Sequence, residues 1–138
     1  MRGSPRDASA SAPALAELIW ALQRHRWQVW VITASPAAVI GVAAQHVGVP
    51  ADQVLGMWCE SDEHGRFVAP TREPITYRQG KVEALRERTD RPLTLAAGDA
   101  VTDLELLREA HAAIVVDKGV EELRRQAAER GWWIEEGL

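Results

Sequence analysis

The chain has 138 residues, 46% of them hydrophobic and 26% charged, which is typical of an ordinary globular domain. Its formal net charge of −4 comes from interspersed acids and bases, so no basic face for nucleic acid is expected. No apolar run approaches the ~20 residues of a membrane-spanning helix, and a single cysteine excludes an intramolecular disulfide. We therefore expect a cytoplasmic protein that binds neither nucleic acid nor membranes.

Helical and extended patterns alternate along the chain. Residues 1–13 are rich in Ala, Ser, Pro and charge and predict a disordered leader, followed by a folded core over 14–138. Apolar residues at helical spacing predict helices over 14–25, 35–48, 80–88, 103–110 and 120–130. Short β-branched and aromatic runs predict strands over 27–33, 54–58, 66–69, 93–97, 112–116 and 132–134.

This alternation predicts an α/β fold, a Rossmann-like three-layer sandwich with a mainly parallel sheet. The turn-rich segment between the strands over 54–58 and 66–69 predicts a small β-hairpin excursion. In open α/β sheets the chemistry lies at the carboxyl ends of the strands, so polar residues there are the candidates for function.

Thr33 ends the first predicted strand. Its hydroxyl, together with the backbone of Ala34 and Ser35 at a helix start, would bind an anion such as phosphate. Taken alone, Thr33 and Ser35 are explained more simply as caps of the helix that follows.

Lys81 opens the helix over 80–88, where a cation opposes the helix dipole. It would neutralise a phosphoryl oxygen, although an exposed lysine on a solvated face is the plainer alternative. Asp99 and Asp103 follow the strand over 93–97, four residues apart and after Gly98. Two carboxylates so placed would hold Mg²⁺, and the alternative is a helix cap beside a solvated acid.

The three groups occur in an order that resembles a known family. The segments VWVITASP, ITYRQGKVEAL and LAAGDAVTDLELL resemble the second, third and fourth motifs of the haloacid dehalogenase superfamily, in its phosphoserine-phosphatase-like branch. The resemblance runs from about Leu15 to the C-terminus. It implies a Mg²⁺-dependent phosphatase that hydrolyses a small phosphorylated metabolite through an aspartyl-phosphate.

The resemblance also implies a role for each matched residue. Thr33, with Ala34 and Ser35, would hold the phosphoryl group, and Lys81 would stabilise its negative charge. Asp99 would ligate Mg²⁺, while Asp103 would support that site or orient Lys81.

The family's first motif, a buried strand that ends in Asp-x-Asp, is not found. Asp7 is the only aspartate before Thr33, follows no apolar strand and has no acid two residues later. The cap domain that this branch inserts between its first two motifs is not found either. We therefore expect a truncated, inactive or complementation-dependent form that hydrolyses phosphoesters poorly by itself.

The missing strand is central in the family's sheet. The resemblance thus implies that strands 29–32 and 93–97 pair directly, leave a gap, or bind a complementing strand from a missing-segment partner or a second copy. Two alternatives stay open: a non-catalytic module that binds phosphate or metal, and a plain interaction module. Binding of Mg²⁺ or phosphate by the isolated chain would separate these two.

Overall fold

The computed structural model describes residues 12–57, 59–70 and 75–136. The chain divides into two compact units, Met1–Arg72 and Glu73–Leu138, and each is described by itself. The single core over 14–138 stays a prediction. Of the predicted leader, only residues 12 and 13 are described, and they begin the first helix. No helix in the described part of the chain is long and apolar enough to cross a membrane.

The first unit combines a parallel strand pair with a hairpin. β1 (Val31–Pro36) and β2 (Val54–Met57) pair in parallel, with a register shift towards the end of β1. β3 and β4 form the antiparallel hairpin. The predicted β-hairpin is therefore present. The strand predicted over 54–58, however, is not part of it, because it is found as β2 and pairs with β1. The elements are α1 (Ala12–Arg24), β1 (Val31–Pro36), α2 (Ala37–His46), β2 (Val54–Met57), β3 (Cys59–Ser61) and β4 (Phe67–Pro70).

Apolar residues from both helices and from β2 form the core of this unit. Ile19 of α1, Ala44 of α2 and Val54 of β2 are buried together with Val49 of the connecting loop. Ala16 and Ile19, three residues apart on one face of α1, are buried, whereas Leu15, Leu18 and Trp20 of the same helix are exposed.

The second unit is a parallel sheet with alternating helices, in the strand order β5-β6-β7. Leu95 of β5 lies opposite Ala112 of β6, and Ile114 of β6 lies opposite Trp133 of β7. The elements are α3 (Gln79–Arg86), β5 (Leu95–Gly98), α4 (Leu104–Glu109), β6 (Ala112–Val116), α5 (Glu121–Arg130) and β7 (Trp133–Glu135).

Helices α4 and α5 connect successive strands and pack on them. α4 packs on β5 and β6, and α5 packs on β6 and β7. Their leucines Leu107 and Leu123 are almost completely buried, as is Val115 of β6. α5 ends where the sequence predicts, because Gly131 adopts the left-handed conformation that commonly terminates a helix.

The predicted α/β class, with parallel pairing of a Rossmann-like kind, is confirmed. Some predicted bounds are wrong. The strand predicted over 27–33 is found at Val31–Pro36, and the helix predicted from Ser35 starts at Ala37, because Pro36 has extended backbone angles at the end of β1. The arrangement of the two strands that flank the missing one stays a prediction. Among the described strands, β1 pairs with β2 and β5 pairs with β6.

Candidate functional site

The second unit contains a buried ion pair at the carboxyl end of β5. Lys81 lies in the first turn of α3, and Asp103 ends the short 3-10 turn that precedes α4. The Lys81 Nζ donates to Asp103 Oδ1 over 2.6 Å. The two side chains are only 6% and 11% exposed. Because burying two charges costs several kcal/mol each in desolvation, such a pair is seldom placed in a fold for stability alone.

The second oxygen of Asp103 organises the turn that follows β5. Asp103 Oδ2 accepts hydrogen bonds from the N–H groups of Asp99 and Ala100, at 3.1 and 3.2 Å. A Cβ at position 98 would lie 2.6 Å from the Asp103 Cβ and 2.7 Å from its Oδ2. Gly98 is therefore required because the carboxylate lies directly against the backbone of the strand end.

The loop before α3 is folded tightly enough to place Lys81 next to that turn. A Cβ on Gly80 would overlap the carbonyl oxygen of Ile75, so no other residue fits without rearrangement. Two residues earlier, Arg78 has φ of 55° and ψ of −122°, a conformation that favours glycine. The loop thus holds strain immediately beside the ion pair.

Arg78 ties this loop to the segment that carries Asp103. Its backbone N–H donates to the Thr102 carbonyl over 3.1 Å, and its Nη1 donates to the Val101 carbonyl over 3.4 Å. Its Nη2 donates to Glu105 Oε2 over 2.8 Å. Sequence reasoning missed Arg78, since nothing in its neighbours along the chain indicates a partner more than twenty residues away.

Asp99, the predicted metal ligand, forms an ion pair with a second lysine. Lys118 Nζ lies 3.1 Å from Asp99 Oδ2, and the two side chains are 56% and 45% exposed. Lys118 follows β6, the parallel neighbour of β5, so both residues leave the sheet at the same edge. The rule that placed Asp99 at a strand end would also have found Lys118.

Thr33, Ala34 and Ser35 lie in the first unit and inside β1. The Thr33 Oγ1 accepts a hydrogen bond from the Ser35 N–H over 3.0 Å. A hydroxyl that accepts one bond keeps its hydrogen for donation to another group. Neither Thr33 nor Ser35 caps α2, because the cap position is Pro36 and has no side-chain bond. Phosphate binding by these residues stays a prediction.

Mg²⁺ is usually held by one or two carboxylates together with water and substrate phosphate, and the described residues leave little carboxylate oxygen for it at this strand end. Asp99 offers one carboxylate, which Lys118 already contacts. Both oxygens of Asp103 are engaged, one by Lys81 and one by two amides. In residues 12–57, 59–70 and 75–136 no group of three acidic, His or Cys side chains is arranged to hold a metal. These residues do not by themselves fit a Mg²⁺ site.

Three solved structures share this fold at low sequence identity. A protein of unknown function from Bordetella pertussis Tohama I superimposes with a TM-score of 0.72 and 22% identity, over 86% of this chain and 55% of that one. A phosphoserine phosphohydrolase-like protein from Francisella tularensis SCHU S4 gives 0.69 and 16%, over 88% and 57%. A functionally unknown protein from Anaerococcus prevotii gives 0.70 and 19%, over 87% and 36%.

The present chain thus spans about a third to just over half of the length of these three structures. A comparison of the sequence with curated proteins found no significant match. The family model of the haloacid dehalogenase-like hydrolases matches residues 5–108, which include Thr33, Lys81, Asp99 and Asp103. The chain therefore belongs to the haloacid dehalogenase-like hydrolase family.

Proposed function

We propose that this chain forms the phosphate-binding part of a phosphohydrolase that cleaves a small phosphomonoester through an aspartyl-phosphate. The observation that carries the proposal is the buried pair of Lys81 and Asp103 at the carboxyl end of β5. Membership of the hydrolase family supports the class of reaction. The description of the Francisella protein as phosphoserine phosphohydrolase-like supports a phosphomonoester as the class of substrate.

Lys81 provides the positive charge that this chemistry requires. Phosphoryl transfer depends mainly on positioning and on neutralising the charge of the phosphoryl oxygens. A fixed ammonium in a largely buried place stabilises that charge more than a solvated one, and needs no reorganisation during the reaction. In the proposed site Lys81 faces a phosphoryl oxygen and the attacking carboxylate, while Asp103 keeps its side chain in position.

Asp103 acts through other groups and is a positioning residue. It orients Lys81 with one oxygen and holds the backbone of Asp99 and Ala100 with the other. Within the first unit, Thr33, Ala34 and Ser35 are proposed separately as phosphate-binding residues, with the Thr33 hydroxyl as donor. No step is assigned to Mg²⁺, because the described residues do not complete a site for it.

The nucleophile of the proposed reaction comes from an additional strand. The sequence contains no two aspartates separated by one residue. Among the described strands of its unit, β5 pairs with β6 alone, and it consists of Leu, Ala, Ala and Gly, without the charges or prolines that protect edge strands. We propose that a parallel strand ending in aspartate pairs with this edge and brings its carboxylate towards Lys81.

The proposed reaction has two displacements at phosphorus. The aspartate oxygen forms a bond to phosphorus while the bond to the substrate's ester oxygen breaks, and that oxygen takes up a proton to leave as an alcohol. Water then attacks the phosphorus of the aspartyl-phosphate, gives up a proton, and releases inorganic phosphate and the free carboxylate.

A second candidate function is phosphate binding without hydrolysis. The observation that favours it is the absence of an Asp-x-Asp pair from the sequence. Both candidates require that Lys81 binds phosphate, and they differ only in turnover.

Phosphate binding and turnover are measured on the same purified chain, by ³¹P NMR titration and by hydrolysis of an aryl phosphate. We expect Lys81→Met to weaken phosphate binding roughly tenfold or more, the effect of losing one charge-assisted hydrogen bond. Arg91→Met, which removes an exposed cation from the same unit, is the control and should bind as the unaltered chain does.

Turnover separates the two candidates. Hydrolysis that appears only when a strand segment ending in Asp-x-Asp is added supports the phosphohydrolase. Phosphate binding with no turnover under either condition supports the binding protein. Turnover by the chain alone, lost in Lys81→Met and Asp99→Ala, would show a nucleophile within these 138 residues and would refute the added strand. A folded chain that binds no phosphate contradicts both candidates.

A further inference from the structure

Lys118 occupies the place beside Asp99 where a cofactor cation would be expected. β5 and β6 are parallel neighbours, so the turns after them leave the sheet at the same edge. Asp99 lies in the first turn and Lys118 in the second. The 3.1 Å between Lys118 Nζ and Asp99 Oδ2 is a hydrogen-bonded ion pair, which neutralises the one carboxylate of the strand end that neither Lys81 nor an amide engages.

The turn that carries Lys118 is itself held in place. Asp117 Oδ1 accepts from the Gly119 N–H over 3.0 Å and from Arg124 Nε over 2.9 Å. Gly119 has φ of 85°, which only glycine adopts readily. Lys118 lies between these two anchored residues, so its backbone is fixed next to the end of β5 and its side chain has a short path to Asp99.

The Lys118 ammonium lies on Asp99 Oδ2, one of the two oxygens that a divalent cation could bind. A hard cation such as Mg²⁺ binds carboxylate oxygen at about 2.1 Å. Its arrival on Asp99 would place a doubly charged ion next to the Lys118 ammonium, and the two like charges repel. Lys118 on Oδ2 therefore opposes the binding of a divalent cation to Asp99.

We infer that Lys118 is the resident cation of Asp99 and lowers the affinity of this strand end for divalent metal. The inference concerns the same strand end as the proposed function, but it does not require phosphate binding or hydrolysis. Because both side chains are about half exposed, the pair is a weak one, and it slows or weakens metal binding without preventing it.

The test is a titration of the ¹⁵N-labelled chain with Mg²⁺, followed at the Asp99 and Ala100 amides. An exposed ion pair contributes little, so we expect Lys118→Met to tighten Mg²⁺ binding by roughly two- to fivefold. Lys118→Arg keeps the positive charge and should retain the affinity of the unaltered chain. Arg91→Met is the control for a general loss of one positive charge from this unit.

A double variant identifies the carboxylate involved. If Lys118 acts through Asp99, the gain in affinity disappears in Lys118→Met/Asp99→Asn. An unchanged or weaker affinity in Lys118→Met overturns the inference, and so does a gain that persists in the double variant or equals that of Arg91→Met. A chain in which no variant responds to Mg²⁺ at these amides overturns it too. Phosphate binding through Lys81 is measured separately in metal-free buffer, so failure of one proposal is distinguishable from failure of the other.

Discussion

Replacing Lys81 with methionine tests whether the buried ion pair has the structure described here. The substitution keeps most of the length of the side chain and removes its charge. It leaves the Asp103 carboxylate, only 11% exposed, without the ammonium at 2.6 Å. Removing one partner of a buried pair typically costs about 3–5 kcal/mol, because the other charge stays in a low-dielectric place. We expect a loss of that size in the free energy of unfolding of the second unit.

The assay must report on the second unit by itself. The chain has two compact units, so a single global transition is not assured. Native-state amide hydrogen exchange at Leu107 and Leu123, both in the core of this unit, gives its local free energy of opening. Exchange at Ala44, in the core of the first unit, is the internal control.

The size of the change decides the outcome. A loss below about 1 kcal/mol is the value expected for an exposed pair and would refute the burial of Lys81 and Asp103. An equal loss at Ala44 would show that the effect is not confined to the second unit.

Three further predictions rest on backbone geometry and charge. Gly98→Ala should cost about 1–3 kcal/mol by urea unfolding because of overpacking, whereas Gly41→Ala, with open space in α2, should be neutral or stabilising. Arg78→Gly should be more stable than Arg78→Ala by about 1 kcal/mol, because only glycine relieves the positive φ. The Arg124 hydrogen bond holds the pKa of Asp117 below its usual 3.8, so this contribution to stability is complete above that pH and is lost as the pH falls. In Arg124→Met, the midpoint of urea unfolding should therefore fall less steeply as the pH is lowered.

Local patterns in the sequence predicted much of the fold. The strand over 112–116 is found with the predicted bounds, because a continuous apolar run of that length is typical of a buried parallel strand. Gly131 stops α5 where expected, since it supplies the left-handed conformation. Ser35 and Pro36 misled the prediction, because Pro36 suits the end of a strand as well as the first turn of a helix.

The side-chain contacts within the second unit were harder to predict from the sequence than its helices and strands. The resemblance gave Asp103 two alternative roles, supporting the metal site or orienting Lys81, and the structure places the two side chains in contact. Arg78 was missed because its partner Glu105 lies 27 positions away in the numbering. Lys118, 19 positions from Asp99, was overlooked although it follows a predicted strand. A single sequence gives periodicity and turn chemistry, but no information on which side chains face one another across neighbouring elements.

The Lys81 and Asp103 pair can be separated from the stability of the fold by removing both charges together. In Lys81→Met/Asp103→Asn the remaining amide oxygen still accepts from the backbone of Asp99 and Ala100, and no buried charge is left. We expect the double variant to recover about 2 kcal/mol relative to the single Lys81→Met change, because what remains is one unsatisfied amide group instead of a charge.

Phosphate affinity should not recover in Lys81→Met/Asp103→Asn, because this variant regains stability but still has no ammonium at position 81. If the Lys81 and Asp103 pair is retained for function, the double variant should recover stability but should not bind phosphate. If the double variant is as unstable as the sum of its single changes, the charges are not coupled, and the pair cannot be the element that positions Lys81. If it binds phosphate as tightly as the unaltered chain, phosphate is held by other residues and the proposed site is wrong.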